Sequence, residues 1–222
     1  MSRKKKISPH KRPFSIEIIE NHKENPILFK VAIDLGFRTS GLAFMNIDSG
    51  EIKCLNYKKK EDCQVQGMKI VDLLNLCKNT IKEYINLLPE YIIQNLDKTQ
   101  FILEEPLIIT GQRSFSISLY ILLSQLIEYF IYKLDVHSVC LVIPGSAKKL
   151  LGWSAREHMP DKEKTQFVKQ NLIEANCTNN HCADAVFSLI LTNQEFLKNK
   201  YSSLENLKEI SYEIYKSSLD IF

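Results

Sequence analysis

Two short apolar runs, far apart in the chain, each stop on an acid. Ile27 to Asp34 (ILFKVAID) ends on Asp34, and Gln100 to Glu105 (QFILEE) ends on Glu104 and Glu105. Runs this short and this apolar read as buried strands rather than helices. The first is followed by Gly41 to Ile47 (GLAFMNI), an Asp48-Ser49-Gly50 turn and the alternating run Glu51 to Tyr57 (EIKCLNY). Together these predict an antiparallel meander of three strands.

The rest of the chain sets how the strands connect. Apolar residues at 70, 73, 74, 77, 81, 84, 85 and 88 make the stripe of an amphipathic helix, stopped near Pro89. Ser114 to Lys133 is apolar almost all round, so it is expected in the core or in a dimer interface. His137 to Ile143 (HSVCLVI) is a fifth strand. Pro144 to Pro160 is irregular and basic, and helices are expected over Lys162 to Ala175 and Cys182 to Leu197. Helical crossovers into the fourth and fifth strands require parallel pairing there. The expected fold is an α/β domain with a five-stranded mixed sheet, a three-strand antiparallel meander plus two parallel strands, flanked by helices. Its boundaries are 27–197, after a basic and disordered arm at 1–26 and before a helical tail at 198–222.

Charge is uneven. Net charge is +3, yet Arg3, Lys4, Lys5, Lys6, Lys11 and Arg12 crowd the first twelve residues without an acid, so the remainder is net acidic. Such an arm suits nucleic acid or a nuclear address, or is simply a solvated tail. No run of about 18 uncharged apolar residues is present, so no membrane span is expected. The arm has no apolar stretch behind it and is not a secretory signal. The six scattered cysteines, with no CxxC pair, read as reduced thiols of an intracellular protein. A zinc site from Cys177, Cys182 and His181 lacks a second ligand pair.

Acids at strand ends in such sheets face a ligand crevice. A third, Asp184, sits in Asn180 to Val186 (NHCADAV); on a helix it shares a face with His181, three residues earlier. Any one of these acids could be a strand end or a cap. Several gathered from distant positions suit Mg²⁺, a hard cation that takes carboxylate oxygens, and a pair of such ions can promote phosphodiester hydrolysis.

These segments resemble the RuvC-type Holliday-junction resolvases of the RNase H-like superfamily. Val31 to Phe44 (VAIDLGFRTSGLAF) looks like that family's first strand, turn and second strand. Ile102 to Leu107 (ILEEPL) resembles its second acidic motif, with Glu104 in the catalytic place and Glu105 one register step away. Asn180 to Leu191 (NHCADAVFSLIL) resembles the closing helix, and Ser146 to Gln170 the basic connection before it. The resemblance implies a homodimer that nicks four-way DNA junctions symmetrically with two Mg²⁺ ions, Mn²⁺ substituting. It implies metal ligation by Asp34, Glu104, Asp184 and His181, with Lys164 as the active-site lysine. It implies DNA contacts from Lys148, Lys149, Lys162, Arg113 and Ser114. The basic arm, the tail and the Gln112-Arg113-Ser114 step look like viral or organellar members, so nucleus, mitochondrion and viral replication site all remain open. The alternatives are another nuclease of this fold, acting on RNA/DNA hybrids or single-stranded DNA, and an actin-like ATPase fragment, which would need a second half.

Overall fold

The structure is a computed structural model that describes residues 14–21, 24–59, 65–106, 113–143, 145–153 and 159–217. Its elements in chain order are β1 (Phe14–Glu20), β2 (Phe29–Asp34), β3 (Thr39–Asn46), β4 (Ile52–Lys58), α1 (Ile70–Asn86), the short α2 (Glu90–Ile93), β5 (Thr99–Glu104), α3 (Arg113–Tyr132), β6 (Ser138–Val142), α4 (Ser146–Leu150), α5 (Asp161–Asn171), α6 (Asn180–Leu191), α7 (Gln194–Lys200) and β7 (Tyr212–Ser217).

The strands make one mixed sheet in the order β4-β3-β2-β5-β6-β1-β7. β2, β3 and β4 are the antiparallel meander. The crossovers through α1 and α3 bring β5 parallel to β2 and β6 parallel to β5. These five strands match the sequence expectation within about two residues at each end, the usual fraying of element boundaries. The sheet has seven strands rather than five, because β1 pairs antiparallel with β6 and β7 pairs parallel with β1. Both extra strands lie in segments expected to be a disordered arm and a helical tail. Among the described residues they pair with each other and with β6, partners that local sequence does not announce. The helix expected over 182–197 is two helices, α6 and α7, broken at Thr192 and Asn193. Ser146–Leu150 is a short helix inside the stretch expected to be irregular.

Alternation along the strands sends side chains to two faces. Val31, Ile33, Phe101, Leu103 and Val139 pack under α1 and α3, where Phe101 stacks on Phe130 at 4.0 Å between ring centroids. Ala32, Ala43, Met45, Ile102 and Cys140 pack under α6, joined by Leu150 of α4 and Val168 of α5. Small residues at 32 and 43 let the almost wholly buried α6 lie close on the sheet. α3 is a core helix, with Leu122, Leu126 and Phe130 fully buried, although Ile117 and Tyr120 on the same helix stay exposed. No described helix is long and apolar enough to cross a membrane.

Candidate active site

Asp34 and Glu104 close two adjacent parallel strands whose preceding residues, Ile33 and Leu103, are register partners. The two carboxylates therefore leave the sheet at the same end. α6 supplies the third. Asn179 caps it, its side-chain oxygen accepting from the Cys182 N–H at 2.9 Å. The cap starts the helix so that His181 and Asp184 share the face above β2 and β3. Close approach at that point depends on Gly41. A Cβ there would stand 2.1 Å from the His181 carbonyl oxygen and 2.4 Å from the Cys182 nitrogen. Any side chain at 41 would lift the helix off the strand.

The site is a set of paired charges. His181 Nδ1 lies 2.6 Å from Asp34 Oδ2, and its Nε2 lies 2.8 Å from Thr39 Oγ1. Lys164 of α5 donates to both oxygens of Asp184, at 2.8 and 2.6 Å, with Asp161 3.6 Å away. Among the described residues Glu104 has no cation in contact; its Oε1 accepts from the Gly145 N–H at 2.8 Å. Burial, then the charges of Asp34 and Asp184, push the Glu104 carboxyl up to about 8. Burial also raises Asp184 to about 6, outweighing the pull of Lys164 in the opposite direction. Burial works against the Lys164 charge, but Asp184 more than compensates and its pKa is raised. The bond to Asp34 raises His181. Asp34, Glu104, His181, Asp184 and Lys164 thus form one electrostatic unit.

Glu105 belongs elsewhere. It is only half-buried, and the charge that raises its carboxyl, after burial, is Glu17 on β1. One residue of slip along a strand reverses the face, and Glu104 is the one facing Asp34 and Asp184. Lys148 and Lys149 sit on α4, which packs on α6, and Lys149 is partly buried. Lys162 is exposed in the first turn of α5. Arg113 and Ser114 open α3, but their side chains, like the arm at 1–12, lie outside the described residues.

The turn after Asp34 is pinned from beneath. The buried Tyr84 hydroxyl of α1 donates to the Gly36 carbonyl at 2.7 Å and lies 2.5 Å from Ser40 Oγ, while the Gly36 N–H reaches Tyr84 at 3.2 Å. Thr39, Gly41, Tyr84 and Gly145 are the site residues that sequence reasoning missed. The run of small residues Thr39-Ser40-Gly41 was the only local signal.

Among the described residues, no group of three or more His, Cys, Asp or Glu side chains stands ready-made to hold a metal ion. The donor chemistry nevertheless fits a hard divalent cation. Asp34, Glu104 and Asp184 interact electrostatically, and Glu104 is raised by burial and then by the other two carboxylates, with Lys164 pulling the other way. The zinc alternative finds no support. The Cys177 and Cys182 thiols are buried against the Asn179 and Leu55 carbonyls, whereas both His181 nitrogens face Asp34 and Thr39.

An antiparallel meander and two parallel crossover strands make the mixed α/β core expected from the sequence, with acids ending its first and fourth strands. No family model matches the sequence, and no curated protein matches it. Among solved structures, the chain is similar to T. thermophilus RuvC in complex with Holliday junction substrate, at TM-score 0.47 and 15% identity, over 78% of this chain and 96% of that one. It is also similar to the Aquifex aeolicus Ppx/GppA phosphatase (TM-score 0.32, 15% identity, 56% of this chain and 40% of that one). A third likeness is to the ethanolamine utilization protein EutJ from Carboxydothermus hydrogenoformans (TM-score 0.27, 16% identity, 60% and 43%). Strand order and direction, not these overlays, define the fold.

Proposed function

We propose that this chain is a metal-dependent endodeoxyribonuclease that resolves four-way DNA junctions as a homodimer. The observation that carries the hydrolytic reading is the electrostatic coupling of Asp34, Glu104 and Asp184, with Glu104 pushed up to about 8 by burial and the other two acids. Perturbed carboxyls gathered at strand ends are a signature of reactive sites. The junction substrate rests on the four motifs that resemble RuvC-type resolvases, in the same order.

In this reading Asp34, Glu104 and Asp184 hold Mg²⁺, two ions in all, with Mn²⁺ able to replace it. Bound there, the ions would supply Lewis-acid polarisation of the phosphodiester and a more acidic water. Asp34 stands centrally, on the strand between those that carry Glu104 and Gly41. Lys164 offsets charge beside Asp184 and stabilises negative charge gathering on the phosphate oxygens. Lys148, Lys149, Lys162, Arg113 and Ser114 grip backbone phosphates, with the basic arm. Each such cation adds to the salt dependence of binding. Two-fold symmetry of a dimer would match that of the junction, and the exposed Ile117 and Tyr120 of α3 are the candidate contacts.

A side-by-side cleavage assay on four-way, flap, RNA/DNA hybrid and linear duplex substrates tests the proposal. Paired symmetric nicks in the four-way junction, lost in Asp34→Asn while binding persists, are the expected result. Preferred cutting of the hybrid would move the chain to another branch of the same fold. Full activity in Asp34→Asn would remove the site assignment altogether.

A further inference from the structure

Both ring nitrogens of His181 are engaged. Nδ1 faces Asp34 Oδ2 at 2.6 Å and Nε2 faces Thr39 Oγ1 at 2.8 Å. A histidine that ligates a metal presents one nitrogen to the ion and gives the other to a supporting group. Here each nitrogen already has a protein partner. The surroundings are built to hold the ring in this place. Gly41 removes the one side chain that would keep the His181 backbone from β3. Two residues earlier on the same strand, Thr39 supplies the hydroxyl. Ser40, between them, points the other way, to Tyr84. One strand therefore provides both the recess for the helix and the bond that fixes the ring.

We infer that Thr39 and His181 are a positioning pair for Asp34, and that His181 is not a metal ligand. Nδ1 shares one hydrogen bond with Asp34 Oδ2 and Nε2 shares another with the Thr39 hydroxyl, so the ring is held from both sides. Among the described residues His181 is the only hydrogen-bonding partner of the Asp34 carboxylate, and it takes Oδ2. Oδ1 has no hydrogen-bonding partner among the described residues. The pair thus selects which oxygen of Asp34 meets the cation and the scissile phosphate. This assignment rests on the proposed nuclease reading for the identity of the cation, but the clamp itself is a property of the metal-free protein.

Two measurements separate these layers. In the metal-free protein, proton NMR should show a downfield His181 Nδ1–H resonance. Asp34→Asn should shift it strongly upfield and Thr39→Val should broaden it by exchange with water, while Thr39→Ser keeps it sharp. A sharp signal in Thr39→Val overturns the clamp, whatever the protein's activity. With Mn²⁺ bound, pulsed EPR should show no directly coordinated imidazole nitrogen in the wild type. A strong ¹⁴N coupling that vanishes in His181→Asn overturns the assignment of His181 as a positioning residue. Mn²⁺ affinity should fall about tenfold in Thr39→Val, the usual cost of losing a supporting bond, and recover in Thr39→Ser. If neither the wild type nor Asp34→Asn binds Mn²⁺, the nuclease reading fails, and the NMR result alone decides the clamp.

Discussion

The ends of β2 and β5 are neighbours in the sheet, yet they treat their acids differently. Asp34 is held by His181 and sits beside a turn fastened by Tyr84 and Ser40. Among the described residues Glu104 accepts a backbone N–H from Gly145 alone, and burial with two nearby carboxylates makes it costly to ionise. One acid is held in place by a side-chain hydrogen bond. The other stores a proton that a cation would have to displace, because metal ligation needs the deprotonated form. A site of this kind keeps its geometry on one strand and its electrostatic strain on the next.

The sharpest way to break this contrast is Asp34→Asn. It removes the central carboxylate and the acceptor for His181, and cleavage should fall about 10³-fold or more, as read in single-turnover assays. Next comes Gly41→Ala, which places a methyl group against backbone atoms that cannot give way. Overpacking of this kind costs about 3 kcal/mol. Thermal unfolding should drop by roughly 6–12 °C for a chain of this size, and activity should fall with it as α6 is displaced.

Glu104→Gln should act in the opposite direction on stability. Its carboxyl is raised from 4.5 to about 8 in the folded protein. The protonated form is therefore the one the fold prefers. Its contribution is fully present below about pH 4.5 and is lost as pH rises through about 8. The neutral glutamine escapes that loss. Without metal, the variant should melt close to the wild type at pH 4.5 and about 5 °C above it at pH 8, although it loses cleavage. Equal melting at both pH values would mean that Glu104 is not strained. The smallest effect belongs to Glu105→Gln, which should keep cleavage within about twofold, as expected of a surface change away from the site. A large loss there would exchange the roles of the two glutamates.

Much of the fold was legible because β2 to β6 are tied to local patterns: apolar runs, a turn at Asp48-Ser49-Gly50 and a clean helical stripe from Ile70. β1 and β7 were not, since FSIEIIE and YEIYKS become strands only by pairing with each other and with β6. The acids were legible as strand-end residues, and the choice of Glu104 over Glu105 needed the register that only the folded sheet supplies. Thr39 was invisible for another reason. Its partner lies 142 residues away, and a threonine beside a turn is ordinary in any strand.

The parallel β1–β7 pair carries a consequence for how the chain reaches this state. It joins residues about 200 positions apart, Ile18 to Lys216 among them. Pairings this distant carry a large loop-closure entropy and form late. Until β7 arrives, β1 is an open edge, its free N–H and C=O groups able to template another chain. Loss of the segment around Tyr212–Ser217 would therefore show first as aggregation during refolding, with the distant crevice of Asp34 and Glu104 left intact in whatever stays in solution.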